Sequence, residues 1–225
     1  MEISYQWKKI LVNPSQALPR QWYVRDTFEV ARDLLGKLLV TNINGKLTWW
    51  MIVEVEPYLW MYDKASHAYP NKLTPRTAIQ FEKWWACYVF FVYWMYHQFC
   101  ITTQSKWVPD VVLIRAVEPV VGIDVMQKRR WISNIKNLTN WPGKLTIALW
   151  ITKELYWRGL DSKRIWIQDF AEIDDEGVAV SKRIGIDYAG EYAHKYWRFY
   201  LKNNKFVSKI DPNAVPFDKV QFSGW

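Results

Sequence analysis

The apolar positions of this chain fall into two periods, and those periods lay out its elements. Phe28, Ala31, Leu34 and Leu35 recur at helical spacing behind Asp26-Thr27-Phe28-Glu29, which reads as a capping box, and Gly36 stands where such a helix ends. Residues 37–43 read as a strand, Asn44-Gly45 as a two-residue hairpin turn, and residues 46–58 as the return strand. Residues 60–82 are polar and rich in turn formers, the composition of a functional loop. Residues 86–103 are dense in aromatic and β-branched side chains and predict two strands around a turn, with another strand over 111–117. Helices are predicted over 122–131 and 144–155, short strands and loops over 164–186, and a last hairpin over 197–208 about Asn203-Asn204. Residues 1–25, broken by Pro14 and Pro19, predict irregular structure. The sequence carries no repeat, low-complexity tract or linker, so the expectation is one α+β domain over 1–225, with 1–18 and 211–225 peripheral.

The return strand carries the first chemistry. Side chains alternate faces along a strand, so Glu54, Glu56 and Tyr58 share one face while Val53, Val55 and Pro57 take the other. Two carboxylates on one face of an apolar strand fit an exposed sheet face, or a general base held in a cleft. Arg115 lies inside Val111-Val112-Leu113-Ile114-Arg115-Ala116-Val117, where a guanidinium calls for a carboxylate partner. A structural ion pair and a device holding Glu56 and a water in register both satisfy that demand, and the pattern leaves both open.

Composition narrows the partners. A chain of 225 residues has ample material for a buried core. Its formal charge of +8 favours polyanions, which basic surfaces attract through counterion release. Two cysteines, Cys87 and Cys100, suggest no disulfide framework, and with three scattered histidines they lack metal-site spacing, so no metal is expected. The first ten residues lack the apolar core and cleavage site of a secretory signal. The most apolar stretch, 86–101, contains His97 and Gln98 and falls short of the roughly 18 residues of a membrane span. Sixteen tryptophans against nine glycines invert ordinary usage.

Several segments, taken in order, resemble the alkyladenine (3-methyladenine) DNA glycosylase family. They are Ala31-Arg32-Asp33-Leu34-Leu35-Gly36-Lys37, Ile52-Val53-Glu54-Val55-Glu56-Pro57-Tyr58, Asp63-Lys64-Ala65-Ser66-His67-Ala68 and Thr74-Pro75-Arg76. Tyr88-Val89-Phe90-Phe91-Val92-Tyr93, Leu113-Ile114-Arg115-Ala116-Val117-Glu118-Pro119, Pro142-Gly143-Lys144-Leu145 and Trp197-Arg198-Phe199-Tyr200 complete the set. The resemblance runs from about residue 19 to 210 and implies a mainly antiparallel curved sheet, an open barrel-like core, with flanking helices. It also implies hydrolysis of the N-glycosidic bond of alkylated or deaminated purines (3-methyladenine, hypoxanthine, ethenoadenine) in double-stranded DNA, leaving an abasic site. Such an enzyme is monofunctional, needs no cofactor, flips its target nucleotide out of the stack, and is expected to be an intracellular, DNA-associated monomer.

Carried over by position, Glu56 is similar to the family's general base and Arg115 to the residue that orients the water and carboxylate. Tyr58, His67, Phe90 and Cys100 resemble the base pocket, and Tyr93 with Met95 the wedge that enters the minor groove. Lys72, Thr74, Arg76, Arg129, Arg130 and Lys144 are the candidate DNA-backbone contacts. The chain also departs from the family pattern. Tryptophan stands where glycine is usual at Trp50, Trp60, Trp85, Trp94, Trp141 and Trp150. Phe90 replaces a tyrosine, Cys100 an asparagine, and Pro57 a small residue. These departures, concentrated near the site, support an alternative reading: an impaired or redesigned relative that binds DNA without efficient excision.

Overall fold

A computed structural model describes residues 2–5, 8–82, 85–92 and 94–222. At the N-terminus β1 (Glu2–Tyr5) and β2 (Lys8–Leu11) pair antiparallel as a small separate sheet. The segment expected to be irregular therefore begins with ladder hydrogen bonds, and its prolines stand beyond them, Pro14 opening a single 3-10 turn. Helix α1 (Thr27–Leu34) starts where Asp26 accepts the backbone N–H groups of Phe28 and Glu29. Gly36, at φ 85°, then turns the chain into the sheet. A Cβ there would lie 2.6 Å from the Ala171 carbonyl oxygen, so conformation and space both demand glycine.

The sheet grows around one long strand. Asn44 and Gly45, both left-handed at φ 54° and 73°, join β3 (Leu38–Ile43) to β4 (Lys46–Tyr58) as a type I′ turn requires. Next come α2 (Ala78–Glu82), the hairpin of β5 (Cys87–Val92) with β6 (Tyr96–Thr102), β7 (Val111–Val121), α3 (Ile123–Arg130) and α4 (Pro142–Leu149). The chain ends through β8 (Ile165–Gln168), β9 (Val178–Ser181), β10 (Arg198–Leu201) and β11 (Val215–Pro216). The strand order is β11-β9-β10-β4-β7-β6-β5, all antiparallel, with β3 pairing β4 and β8. The path does not close, so the fold is α+β on an open antiparallel sheet, as expected. Among the described residues no helix is long and apolar enough to cross a membrane.

The two sheet faces bury different sets. Val53, Val55, Phe99, Ile101, Val112 and Ile114 join the main core with Phe28, Leu34, Met126, Leu145 and Leu149 of the helices. Tyr88, Phe90, Cys100, Val111 and Leu113 form a smaller apolar layer on the opposite face with Ile79 of α2. The period of two thus separates a packing face from a face left free for function.

Two expected elements come out differently. The helix expected over 144–155 stops at Leu149, because Trp150 is left-handed (φ 59°), and Lys153–Leu155 forms a separate 3-10 turn. The hairpin expected over 197–208 does not form. β10 pairs with β9 and β4 instead, and after the turn at Asn203 the chain gives its polar groups to buried side chains. Ser208 donates to Glu54, and the Lys209 carbonyl accepts from Arg198. At the C-terminus Phe222 stacks on Phe28 with ring centroids 5.1 Å apart. Of the six tryptophans at usual glycine positions, Trp85, Trp94 and Trp150 are left-handed, whereas Trp50 is fully buried in the main core.

Candidate active site

The register between β4 and β7 carries three irregularities, two of which offset each other at the site. Ile52 pairs with Val117, Glu54 with Ala116 and Val55 with Ile114, which skips Val53 on one strand and Arg115 on the other. Arg115 bridges the two carboxylates: its Nε donates to Glu54 Oε1 at 2.9 Å and its Nη1 to Glu56 Oε2 at 3.2 Å. All three side chains are buried, so the exposed-face reading of this strand is overturned. Burial works against the charge on Arg115, but Glu56 and Glu54 outweigh it and hold its pKa above the usual guanidinium value.

Counting donors separates the two carboxylates. Glu54 accepts from Arg115 Nε, from Arg198 Nη1 at 3.0 Å, from the Ser208 hydroxyl at 2.7 Å and from the Ser208 N–H at 2.6 Å. Glu56 accepts from the Tyr58 hydroxyl at 2.8 Å, from Arg115 Nη1, and from the Ile184 N–H at 2.9 Å. An ionised carboxylate offers about four acceptor sites. Glu54 therefore holds four donors, three of them on Oε1, whereas Glu56 holds three and its Oε1 takes only the Ile184 N–H, which leaves room for a further donor such as water.

A cavity of about 620 Å³ opens on this face, lined among others by Tyr58, His67, Phe90, Cys100, Arg115 and Ile184. Its size suits a purine and part of its sugar. Glu56 lies beneath the floor, opposite Leu113 and held by Tyr58, Arg115 and Ile184, which line it. Burial, and then the charge of Glu56, push the Tyr58 hydroxyl well above its ordinary pKa, so it stays a proton donor to that carboxylate. Burial likewise raises the Cys100 thiol, with Glu56 adding to it, leaving a small neutral side chain in the floor. Trp60 does not line the cavity; its N–H donates to Asp110 at 2.7 Å. Trp94 stands at the rim and is 93% exposed, so neither tryptophan fills the pocket.

His67 is not a solvated loop residue. Its Nδ1 lies 2.8 Å from the Tyr88 hydroxyl, its Nε2 lies 3.3 Å from Arg76 Nη2, and its ring stands edge-on to Phe90 at 4.7 Å. Burial, then Arg76 and Lys72, lower its pKa to about 4. The imidazole is therefore neutral at physiological pH. Because Arg76 can only donate, Nε2 must accept, so Nδ1 carries the hydrogen and donates to Tyr88.

The remaining candidates spread outward. Tyr93 lies outside the described residues. Met95 is 67% exposed on the β5–β6 turn beside Trp94. Lys72 is exposed, and Thr74 exchanges hydrogen bonds with Thr77 at the start of α2. Arg76 belongs to the pocket mouth, over the Phe90 ring at 4.9 Å. Arg129 and Arg130 are tied to the carbonyls of Ala148 and Asn137, and Lys144 to Asn140, all away from the cavity lining. Sequence reasoning missed the Asp63–Arg183 pair, a fully buried fork at 2.6 and 2.7 Å. Arg183 also donates to the Pro57 carbonyl and lies 4.5 Å from the Tyr58 ring centroid. The partners are 120 positions apart, so no local spacing could have linked them.

An aromatic, purine-sized slot thus lies over a buried carboxylate on an open antiparallel sheet. The family model for methylpurine-DNA glycosylase (MPG) matches residues 21–205. Similar proteins bear the name "Putative 3-methyladenine DNA glycosylase". That of Clostridium novyi (strain NT) is 46% identical over 200 residues, covering 85% of this chain and 98% of the relative. That of Clostridium perfringens (strain SM101 / Type A) is 45% identical over 202 residues, with the same coverage. That of Alkaliphilus oremlandii (strain OhILAs) is 43% identical over 200 residues, again at 85% and 98%. The chain belongs to the methylpurine-DNA glycosylase family.

Proposed function

We propose that this protein is a monofunctional purine DNA glycosylase that flips an alkylated or deaminated purine out of double-stranded DNA and hydrolyses its N-glycosidic bond, leaving an abasic site. The observation that carries this reading is Glu56, buried beneath a purine-sized pocket with three donors in place and one acceptor site left. A water donates its hydrogen to Glu56, and its oxygen bonds to C1′ as the bond to the base breaks. The proton passes to Glu56 and the bond's electron pair leaves with the base. The carboxylate also faces the positive charge that develops on the sugar. Arg115 holds Glu56 in place, Tyr58, His67 and Phe90 wall the base, and Cys100 floors it. Tyr93 and Met95 fill the gap in the stack, and Lys72, Thr74, Arg129, Arg130 and Lys144 meet the phosphates, with Arg76 at the pocket mouth beside them. The buried carboxylate beneath the pocket, with room for a further donor, supports water as the nucleophile. The relatives' names support 3-methyladenine as a substrate. Hypoxanthine and ethenoadenine are neutral purines, the second larger by one fused ring.

The test is single-turnover release of these three bases from duplex oligonucleotides. Excision above background is expected from the unaltered chain and none from Glu56→Gln, with duplex binding retained. Salt-sensitive binding without any excision would overturn the enzyme reading in favour of an impaired relative that only binds DNA. A Glu56→Gln variant of full activity would remove Glu56 from its role.

A further inference from the structure

Six tryptophans share a backbone conformation and little else. Trp85, Trp94, Trp107, Trp131, Trp150 and Trp157 all have φ between 53° and 72°, and among the described residues they supply six of the eleven non-glycine positions at positive φ. Three of the other five are asparagine, whose short polar side chain tolerates that region. A bulky side chain is an outlier there, because its Cβ crowds the following carbonyl oxygen. Their surroundings differ: Trp85 is buried, whereas the other five are exposed, Trp94 and Trp131 at 93% and 92%. Packing therefore does not impose the conformation on those two.

The local hydrogen bonds show which residue each place requires. Helices α3 and α4 end alike. The Ile132 N–H reaches back to the Gln127 carbonyl and the Ile151 N–H to the Thr146 carbonyl, a closure that needs a left-handed residue just before it. Trp131 and Trp150 hold that position, where glycine is usual. After α1 the left-handed residue is Gly36, at φ 85°. The β5–β6 turn is closed by the Met95 N–H on the Val92 carbonyl, which makes Trp94 its third residue, again a place where positive φ favours glycine. Gly45 holds the same place in the β3–β4 turn, at φ 73°.

Elsewhere tryptophan is used for its side chain. Trp166 is buried on β8 and donates its indole N–H to Gln168 at 2.9 Å. Trp197 is buried with its ring 5.2 Å from that of Phe28 and 5.0 Å from the Arg183 guanidinium. Neither has positive φ. The tryptophans thus fall into two populations, one suited to its indole and one in a conformation that the indole opposes.

We infer that the six left-handed positions are glycine in the protein its source cell makes, because that cell reads as glycine a codon otherwise translated as tryptophan. Sixteen tryptophans against nine glycines then move towards ordinary usage. Chance substitution would not concentrate the bulkiest side chain at the positions least able to take it. Two codons must therefore stand behind these residues, one shared by the six and another behind Trp166 and Trp197. The site changes with them: glycine at 94 removes an exposed indole from the cavity rim and lets that backbone approach a ligand closely.

Peptide mass spectrometry of the protein purified from its source cell reads the residues directly, and its gene reads the codons. Glycine at 85, 94, 107, 131, 150 and 157 with tryptophan at 166 and 197, on two different codons, is the expected result. Tryptophan at the six positions, or one codon behind all eight, overturns the inference. A second measurement needs no source cell. A chain carrying Trp94→Gly, Trp131→Gly and Trp150→Gly should have a higher denaturant midpoint than the tryptophan chain at unchanged m-value, whereas Trp166→Gly should lower the midpoint through the cavity it leaves. A tryptophan chain that fails to fold where the glycine chain folds supports the inference, and an equal or lower midpoint for the glycine chain overturns it.

Discussion

His67 shows how a single side chain takes its properties from its neighbours rather than its type. An imidazole ordinarily titrates near 6.5; here burial and two cations lower it to about 4. Because the folded pKa lies below the unfolded one, the unfolded chain binds the proton first, and stability falls as pH drops from about 6.5 towards 4. His67→Gln should flatten that part of the stability curve, an effect on the order of 3 kcal/mol. Denaturant midpoints against pH check this, and parallel curves for the two proteins would contradict the assignment. At the same scale, Trp131→Gly and Trp150→Gly should each stabilise the protein by about 1 kcal/mol through relief of the left-handed conformation. Higher denaturant midpoints with an unchanged m-value are the expected reading. Nothing in local sequence reports a φ angle, so the strain at these tryptophans became visible only in three dimensions.

Among elements, the loop from Leu59 to Pro70 and the segment after β9 are joined by one buried fork. Asp63 accepts both guanidinium arms of Arg183 while receiving the N–H groups of Leu59 and Ala65. The next residue, Ile184, donates its N–H to Glu56. The pair therefore sets the positions of a pocket wall and of a donor on the candidate base. Asp63→Ala leaves a buried, unpaired guanidinium and should cost about 3–5 kcal/mol. Arg183→Met, which keeps the volume and removes the charge, should cost less. A smaller loss for Asp63→Ala than for Arg183→Met would refute this account. The elements themselves were largely legible: the capping box at Asp26, the turn at Asn44-Gly45 and the alternation of β4 all rest on local chemistry. The hairpin expected over 197–208 was not, because Ser208 donates to Glu54, a side chain remote in the chain, and the Lys209 carbonyl turns to the Arg198 guanidinium.

The whole molecule carries a formal charge of +8, and its proposed DNA contacts spread over the loop before α2, over α3 and over α4. Arg129, Arg130 and Lys144 each donate to one group within the protein, Arg129 also lying over the Trp150 ring, and all keep part of their surface in solvent. Each residue that meets a phosphate should add about 0.9 to the slope of log affinity against log salt. Arg130→Ala and Lys144→Ala are therefore expected to lower that slope by about 0.9 each on undamaged duplex. An unchanged slope would remove the residue from the interface.

Alone, the sequence determined the α+β class, the long central strand, the shared face of Glu54, Glu56 and Tyr58, and a family resemblance along nearly the whole chain. These follow from periodicity and from short-range motifs, which act within a few residues. The resemblance also pointed to Glu56, but only the tertiary structure shows the physical difference between the two carboxylates. Arg198 and Ser208 fill Glu54 from the end of the chain, whereas Glu56 keeps a free acceptor site beneath the cavity. Hydrogen-bond satisfaction of a buried charge depends on which distant donors the fold delivers, and that is a property of three-dimensional packing, not of spacing along the chain.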